Sequence, residues 1–331
     1  MKRISIILCF TSVFYLTSCG SRVANVDNLP LSQGGTGEMH FVMSDYLWKG
    51  ACGDSIRSFF SEPVWGLPAA EPMFVFSQRS EWSNFLQKFR NVLIVNVDPG
   101  FQDANIKFKT DVYAKNQVIF NIEAPSPDSL ISCLYRNKDL ISAYLLMKDR
   151  DAIIDDYKKT IAKSIIDTLK SKFLVDIVIP KSYTLYDNKD NFVWLNREEG
   201  EKNWHILMWE EPYRRTSQLD TDSLIFSMNV MTRKYVAGKD VGSYMADEPM
   251  IPPAVRRFEK DGIYTVQLNG LWQIENGYMG GPYVNQTIVD AKRGRLITGL
   301  GFIFYPLREK RHMVRQLEAI LYTMTPIEDT E

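Results

Sequence analysis

Short apolar runs alternating with segments of helical spacing constrain this chain most, because that alternation builds a sheet with helices packed on it. Met39 to Ser44 reads as a strand, followed by a helix with Ile56, Phe59 and Phe60 on one face. Met73 to Phe76 reads as a strand, Glu81 to Phe89 as a helix and Asn91 to Asp98 as a strongly apolar strand. Ile106, Phe108 and Val112, then Val118, Phe120 and Ile122 beyond Lys115 and Asn116, predict a hairpin. Ser126 as N-cap and Pro127 as first helical residue open a helical region that keeps its spacing through Ile154, Tyr157, Ile161, Ile165 and Leu169 to about Phe173.

The second half follows the same grammar. Ile177 to Ile179, Phe192 to Leu195 and His205 to Trp209 read as strands, and a helix capped by Asp220 or Asp222 would bury Leu224, Met228, Met231 and Tyr235. Tyr264, Val266 and Leu268 alternate with Thr265, Gln267 and Asn269, the pattern of a half-buried strand. A hairpin across Arg293 and Gly294, a strand through Leu300, Phe302 and Phe304, and a helix with Val314, Leu317 and Leu321 inward close the chain. The expected fold is α/β (α+β), with two mixed-sheet domains and packed helices over residues 38–175 and 176–331. Both halves finish as strand, Ala-Lys turn, strand, proline, helix, which fits either an internal duplication or recurrent α/β grammar.

Residues 1–18 have the parts of a secretory signal: Lys2 and Arg3, an apolar run from Ile4 to Tyr15, then Leu16, Thr17 and Ser18 before Cys19. The run is shorter than the roughly 20 apolar residues that cross a bilayer. Leu16-Thr17-Ser18-Cys19 resembles the lipobox of bacterial lipoproteins, in which the cysteine thiol receives a diacylglycerol and becomes residue one. That resemblance implies lipidation at Cys19 and a membrane partner through the anchor, since stable anchoring takes two acyl chains. Gly20 stands where an inner-membrane retention Asp often stands, which favours the outer membrane, and the absence of an acidic cluster favours its periplasmic face. Residues 19–37 are polar and end in Gly34, Gly35 and Gly37, reading as a flexible tether.

A formal net charge of -1 argues against a nucleic-acid partner. Beyond the signal and Cys19 only Cys52 and Cys133 remain, a possible disulfide in an oxidising compartment or two buried thiols. Nucleophile-elbow, zinc-helix, Walker and dinucleotide-turn motifs are absent, so no catalytic residue and no cofactor is assigned. His40, His205 and His312 are too scattered for a metal site. His205, between Trp204 and Ile206, can act as acid or base if it lines a cleft, and otherwise is a core histidine. Adjacent Glu210 and Glu211 point to opposite faces of a strand and read as a solvated end.

The candidate ligand-binding set is Trp272, Tyr278, Gly280, Gly281 and Tyr283, with His205. Aromatic rings stack on a sugar or peptide and glycines let a backbone approach closely. The alternative is a tight Gly-Gly-Pro turn between core strands. Arg293, Arg295, Arg308, Lys310, Arg311 and Arg315 give a local basic excess suited to lipid headgroups or an acidic partner, or to a solvated helix face.

Gly53-Asp54-Ser55-Ile56-Arg57, Pro63 to Pro72, Arg90 to Asn96, Gly270-Leu271-Trp272 and Met279-Gly280-Gly281-Pro282 together resemble an uncharacterised family of Bacteroidota lipoproteins, domain of unknown function 4837. The resemblance implies an envelope lipoprotein without an assigned reaction and transfers no catalytic residues. The second half also resembles a PsbP/Mog1-type sandwich in strand order and closing helix. The expected function is a non-enzymatic, lipid-anchored periplasmic protein that binds an envelope protein or glycan. Its rivals are a periplasmic hydrolase with residues dispersed around His205, Glu210 and the Trp272 to Tyr283 stretch, and a small-ligand carrier.

Overall fold

The computed structural model describes residues 28–327, so segment 1–18 and Cys19 lie outside the described residues. The first half runs β1 (Glu38–Val42), α1 (Asp45–Lys49), α2 (Ala51–Phe60), β2 (Val75–Arg79), β3 (Asn91–Val97), β4 (Asn105–Thr110), β5 (Val118–Ala124) and α3 (Pro127–Lys158). Its sheet has the order β2-β1-β3-β5-β4 and is parallel except for β4. β3 is apolar on both faces because both are covered: Leu93 and Val95 join the core under α2 and α3, while Val92 packs with Val42, Leu86 and Ile119. The Ser126 hydroxyl caps α3 by accepting from the Ser129 N–H at 3.2 Å. The helix expected over Glu81 to Phe89 shrinks to a 3-10 turn, Leu86–Lys88. The Gln87 and Phe89 carbonyls there accept from the Gln117 side chain, at 2.9 and 2.8 Å, instead of extending a helix.

The second half runs α4 (Lys163–Phe173), β6 (Val175–Asp176), β7 (Thr184–Lys189), β8 (Phe192–Glu199), β9 (Lys202–Pro212), α5 (Thr221–Tyr235), β10 (Tyr244–Asp247), β11 (Ala254–Lys260), β12 (Ile263–Glu275), β13 (Gly280–Asp290), β14 (Arg295–Phe304), α6 (Arg311–Tyr322) and β15 (Thr325–Pro326). Its main sheet is β10-β12-β13-β14-β9-β8-β7, with β11 also beside β12, and every pairing is antiparallel. Leu224 and Met228 of α5 cover one face, against Trp209, Val266, Leu268 and Leu300. α4 and α6 cover the other, against Ile206, Met208, Val284 and Ile297. Cover on both faces is why Thr265 and Gln267 are buried beside Val266 and Leu268, where alternation alone predicts a half-buried strand. The α/β class with helices packed on sheets is what the chain forms. The two sheets differ in strand direction and order, so the shared Ala-Lys turns reflect common grammar and not duplication.

Two expected boundaries move. The first helical region ends at Lys158, and α4 turns Ile165, Ile166, Leu169 and Phe173 into the second half's core, so the division expected at residue 175 falls before α4. Apolar spacing persists across the break, but its two sides bury against different sheets. The tether expected through residue 37 is bonded over its later part: Lys115 N–H donates to the Pro30 carbonyl and Gln33 N–H to that of Lys88, both at 2.7 Å. Backbone pairing of this kind leaves no trace in composition.

The loop between α2 and β2 clasps the halves together. Glu71, buried, accepts from the backbone N–H groups of Lys310 and Arg311, each at 2.7 Å, so a first-half carboxylate occupies the N-terminus of α6. Helix N-termini favour an anion there because their N–H groups lack intrahelical partners. The Trp65 indole donates to the Pro252 carbonyl at 3.0 Å. Gly66, at φ +79, lies so close to Asn269 that a Cβ would stand 3.0 Å from its backbone. Among the described residues no helix is long and apolar enough to cross a membrane.

Candidate functional site

His205 and Trp272, far apart in sequence, line one cavity. β9 and β12 present them on the face that α5 covers, and Phe302 of β14 lies between, with ring centroids 4.5 Å from His205 and 5.6 Å from Trp272. Trp194, Ile274 and Met279 complete the walls of a cavity of about 180 Å³. α5 stops at Tyr235, so the chain from Val236 to Lys239 forms part of its border instead of a helix sealing it. A Cβ at Gly281 would stand 2.2 Å from the Ile303 carbonyl oxygen and 3.0 Å from the Trp272 indole nitrogen. The missing side chain lets that indole donate to Ile303 O at 3.2 Å, which fixes the ring as a wall.

The Trp194 indole lies 3.1 Å from His205 Nδ1. An indole nitrogen only donates, so Nδ1 accepts and the ring proton sits on Nε2. Burial pushes the His205 imidazole down to about 4, so it is neutral at pH 7. Glu210 is hydrogen-bonded to Arg295, and Glu211 accepts from Ser227 at 3.2 Å. The acid–base pair that the hydrolase reading needs around His205 and Glu210 is therefore not assembled.

Between pH 6.5 and about 4 the unfolded chain binds a proton at His205 that the folded chain refuses, so folding stability should fall as pH drops through this window. The shift corresponds to about 3 kcal/mol. Urea denaturation of the wild type and His205→Phe at pH 7 and pH 4.5 should show the wild type losing most of that amount relative to the variant. A difference between the two proteins that does not change with pH would refute the assignment.

The remaining candidate positions separate. Tyr278 is fully exposed on the turn between β12 and β13, and exposed Gly280 opens β13. The Gly-Gly-Pro sequence is thus the start of a strand; the turn itself precedes it, with Asn276 at φ +60. Tyr283 is buried, and its hydroxyl donates to Asp247 Oδ1 at 2.6 Å. Burial, then the Asp247 charge, raise the phenol's pKa, and burial raises that of the Asp247 carboxyl. Tyr283 is a structural member of the core and no stacking platform. Trp194 and Phe302 were missed, because only strand register brings them to His205; Met279 lies within the Trp272 to Tyr283 stretch already singled out.

Comparison with known proteins divides the chain along the same line as the packing. Residues 162–323 match the domain of unknown function DUF4837. Residues 32–158 match a different domain of unknown function, DUF8532. The resemblance to DUF4837 drawn from Gly53 to Arg57, Pro63 to Pro72 and Arg90 to Asn96 is therefore corrected: those segments lie in the DUF8532 match, and only the Gly270 and Met279 segments lie in DUF4837. No curated protein matches the sequence.

Among solved structures, the Saccharomyces cerevisiae Ran-binding protein Mog1p is 9% identical, covering 47% of this chain and 91% of its own, at a TM-score of 0.33. LpqN, described as involved in cell envelope biogenesis of Mycobacterium tuberculosis, is 13% identical, covering 46% of this chain and 83% of its own, at 0.29. The human StarD13 lipid transfer and protein localization domain is 13% identical, covering 50% of this chain and 96% of its own, at 0.22. Scores this low do not bear on activity or on a Mog1-like assignment for the second half.

Within the DUF4837 segment the basic excess is largely internal. Arg293 and Arg295 converge on Asp290, at 3.2 and 2.9 Å, Arg315 pairs with Glu318 at 2.8 Å, and Arg311 bonds the Pro72 carbonyl. A free basic surface for headgroups is not what these residues build. In the DUF8532 segment Cys52 and Cys133 are free and buried, not paired, and burial raises both thiols' pKa values. His40 there is hydrogen-bonded to Ser77 and lies 3.5 Å from Glu38, an order that suggests nucleophile, base and acid. The ring is buried against Phe89 at 3.9 Å, and Ser77 lines neither the aromatic cavity nor the cleft between the halves.

Proposed function

We propose that this chain is a lipid-anchored protein of the cell envelope, held by Cys19 at the periplasmic face of the outer membrane, that binds a protein partner through one side chain inserted into the aromatic cavity. The size and lining of that cavity carry the reading. At about 180 Å³ it is smaller than the roughly 300–1,000 Å³ of small-molecule pockets. Its walls are mostly aromatic and aliphatic, with the His205 Nε2–H among its few polar groups. One aromatic or aliphatic side chain in a dry pocket is the usual anchor of a protein interface, whereas a glycan asks for many more polar partners. Exposed Tyr278 and Met279 beside the cavity suit such an interface.

The N-terminal signal and lipobox-like sequence support the anchor. With Pro30 already bonded to Lys115, the residues between Cys19 and Pro30 would hold the folded part within about 40 Å of the bilayer even at full extension. In cells, a photo-crosslinking residue in place of Tyr278 should yield an adduct with an envelope protein. Ala237→Trp, at an exposed position on the cavity's border, should abolish it, and Cys19→Ala should release the chain from the membrane fraction. An adduct undiminished by Ala237→Trp would sink the cavity reading, and continued sedimentation of Cys19→Ala with membranes would sink the anchor.

A further inference from the structure

We infer that the cleft between the two halves is a binding site for a small amphipathic anion, with its charged group held by Arg150 and Arg256 and its apolar part against Met73, Leu146 and Met147. The cleft shares no lining residue with the aromatic cavity. Its volume of about 420 Å³ falls in the range of ligand pockets, which favour the junctions of domains. α3 supplies one wall, and β11, β12 and α6 supply the other. Met147 of α3 and Met73 of the loop before β2 give a surface that adapts to an alkyl or aryl body.

The charge distribution points to an anion. The Arg150 guanidinium lies 3.5 Å from the Tyr322 ring centroid, and Lys260 Nζ lies 4.9 Å from the same ring. Phe258 stacks beside Tyr322 at 6.1 Å, and Arg256 lies 5.6 Å from Phe258. One pair of rings thus gathers three cations, drawn from both halves. Two of them have counter-charges only at long ion-pair distance, Asp151 at 3.7 Å from Arg150 Nε and Asp261 at 3.8 Å from Lys260 Nζ. Arg150 Nε is buried without a hydrogen-bond partner.

Burial lowers the Lys260 ammonium's pKa, with Asp261 opposing the shift and the nearby Arg150 charge adding to it. Other acids at the cleft already have partners: Glu318 bonds Arg315 and Asn269, and Asp149 bonds Arg90. Asp139 also lines the cleft, and Arg256 makes no ion pair among the described residues. A carboxylate or phosphate satisfies a guanidinium's parallel N–H groups, and contact with the Tyr322 ring restrains Arg150 beside the cleft. A ligand bound there touches both halves and stabilises their closure.

Isothermal titration calorimetry on the full chain in nonionic detergent tests this, with octanoate, octyl phosphate and octanol as probes. The anions should bind saturably and octanol should not. Arg150→Gln and Arg256→Gln should each weaken anion binding about tenfold, while Arg308→Gln, outside the cleft, should leave it unchanged. The tighter of the two anions identifies the head group as carboxylate or phosphate. Saturable octanol binding of equal strength, no saturation by either anion, or unchanged affinity in the arginine variants would each overturn the inference. Arg256 is exposed on β11, so its variant carries the test if Arg150→Gln does not fold.

Discussion

Asp149→Ala should cost about 3–5 kcal/mol of folding stability, the range for stripping one partner from a buried ion pair. Asp149 is 1% exposed on α3 and accepts from Arg90 Nη1 at 2.7 Å, Asn91 Nδ2 at 3.2 Å and the Gly37 N–H at 2.6 Å. Its removal leaves the Arg90 charge buried and frees the segment before β1 from the start of β3. Chemical denaturation measures the loss, and the double variant Asp149→Leu, Arg90→Met should recover much of it, because no lone charge then stays in the interior. A loss below about 1 kcal/mol for the single variant would mean that water reaches Arg90.

Gly281→Ala should cost about 3 kcal/mol, the upper part of the range for overpacking a filled interior. The added methyl would meet the Ile303 carbonyl, a backbone atom fixed in β14, and push the Trp272 ring from its bond to that oxygen. The same substitution at Gly200 meets no atom within 4 Å and should cost only the strain of its positive φ, about 1 kcal/mol. Comparing the thermal midpoints of the two variants, with near-ultraviolet circular dichroism to follow the indole, separates the effects. Equal midpoints would show that β13 and β14 can part without loss.

Local signals were the legible ones. The Ser126-Pro127 start of α3, the hairpin across Arg293 and Gly294 and the inward face of α6 rest on neighbouring residues, and each forms as its pattern predicts. What stayed hidden depends on distant partners. Ile161 and Ile165 continue a helical spacing across a break that only the second sheet explains. Trp272 and His205 meet because β12, β13, β14 and β9 lie side by side in register. Tyr283 read as a stacking surface because an aromatic beside glycines looks the same whether Gly270 makes room for a ligand or, as here, for the Tyr283 ring itself.

The contact of Glu71 with α6 makes the two segments depend on each other. A gene cut between the two matched segments would leave one product with a carboxylate that has lost its partners and the other with a last helix whose first amides lie bare. The Glu71 carboxylate thus makes the folding of each segment depend on the presence of the other.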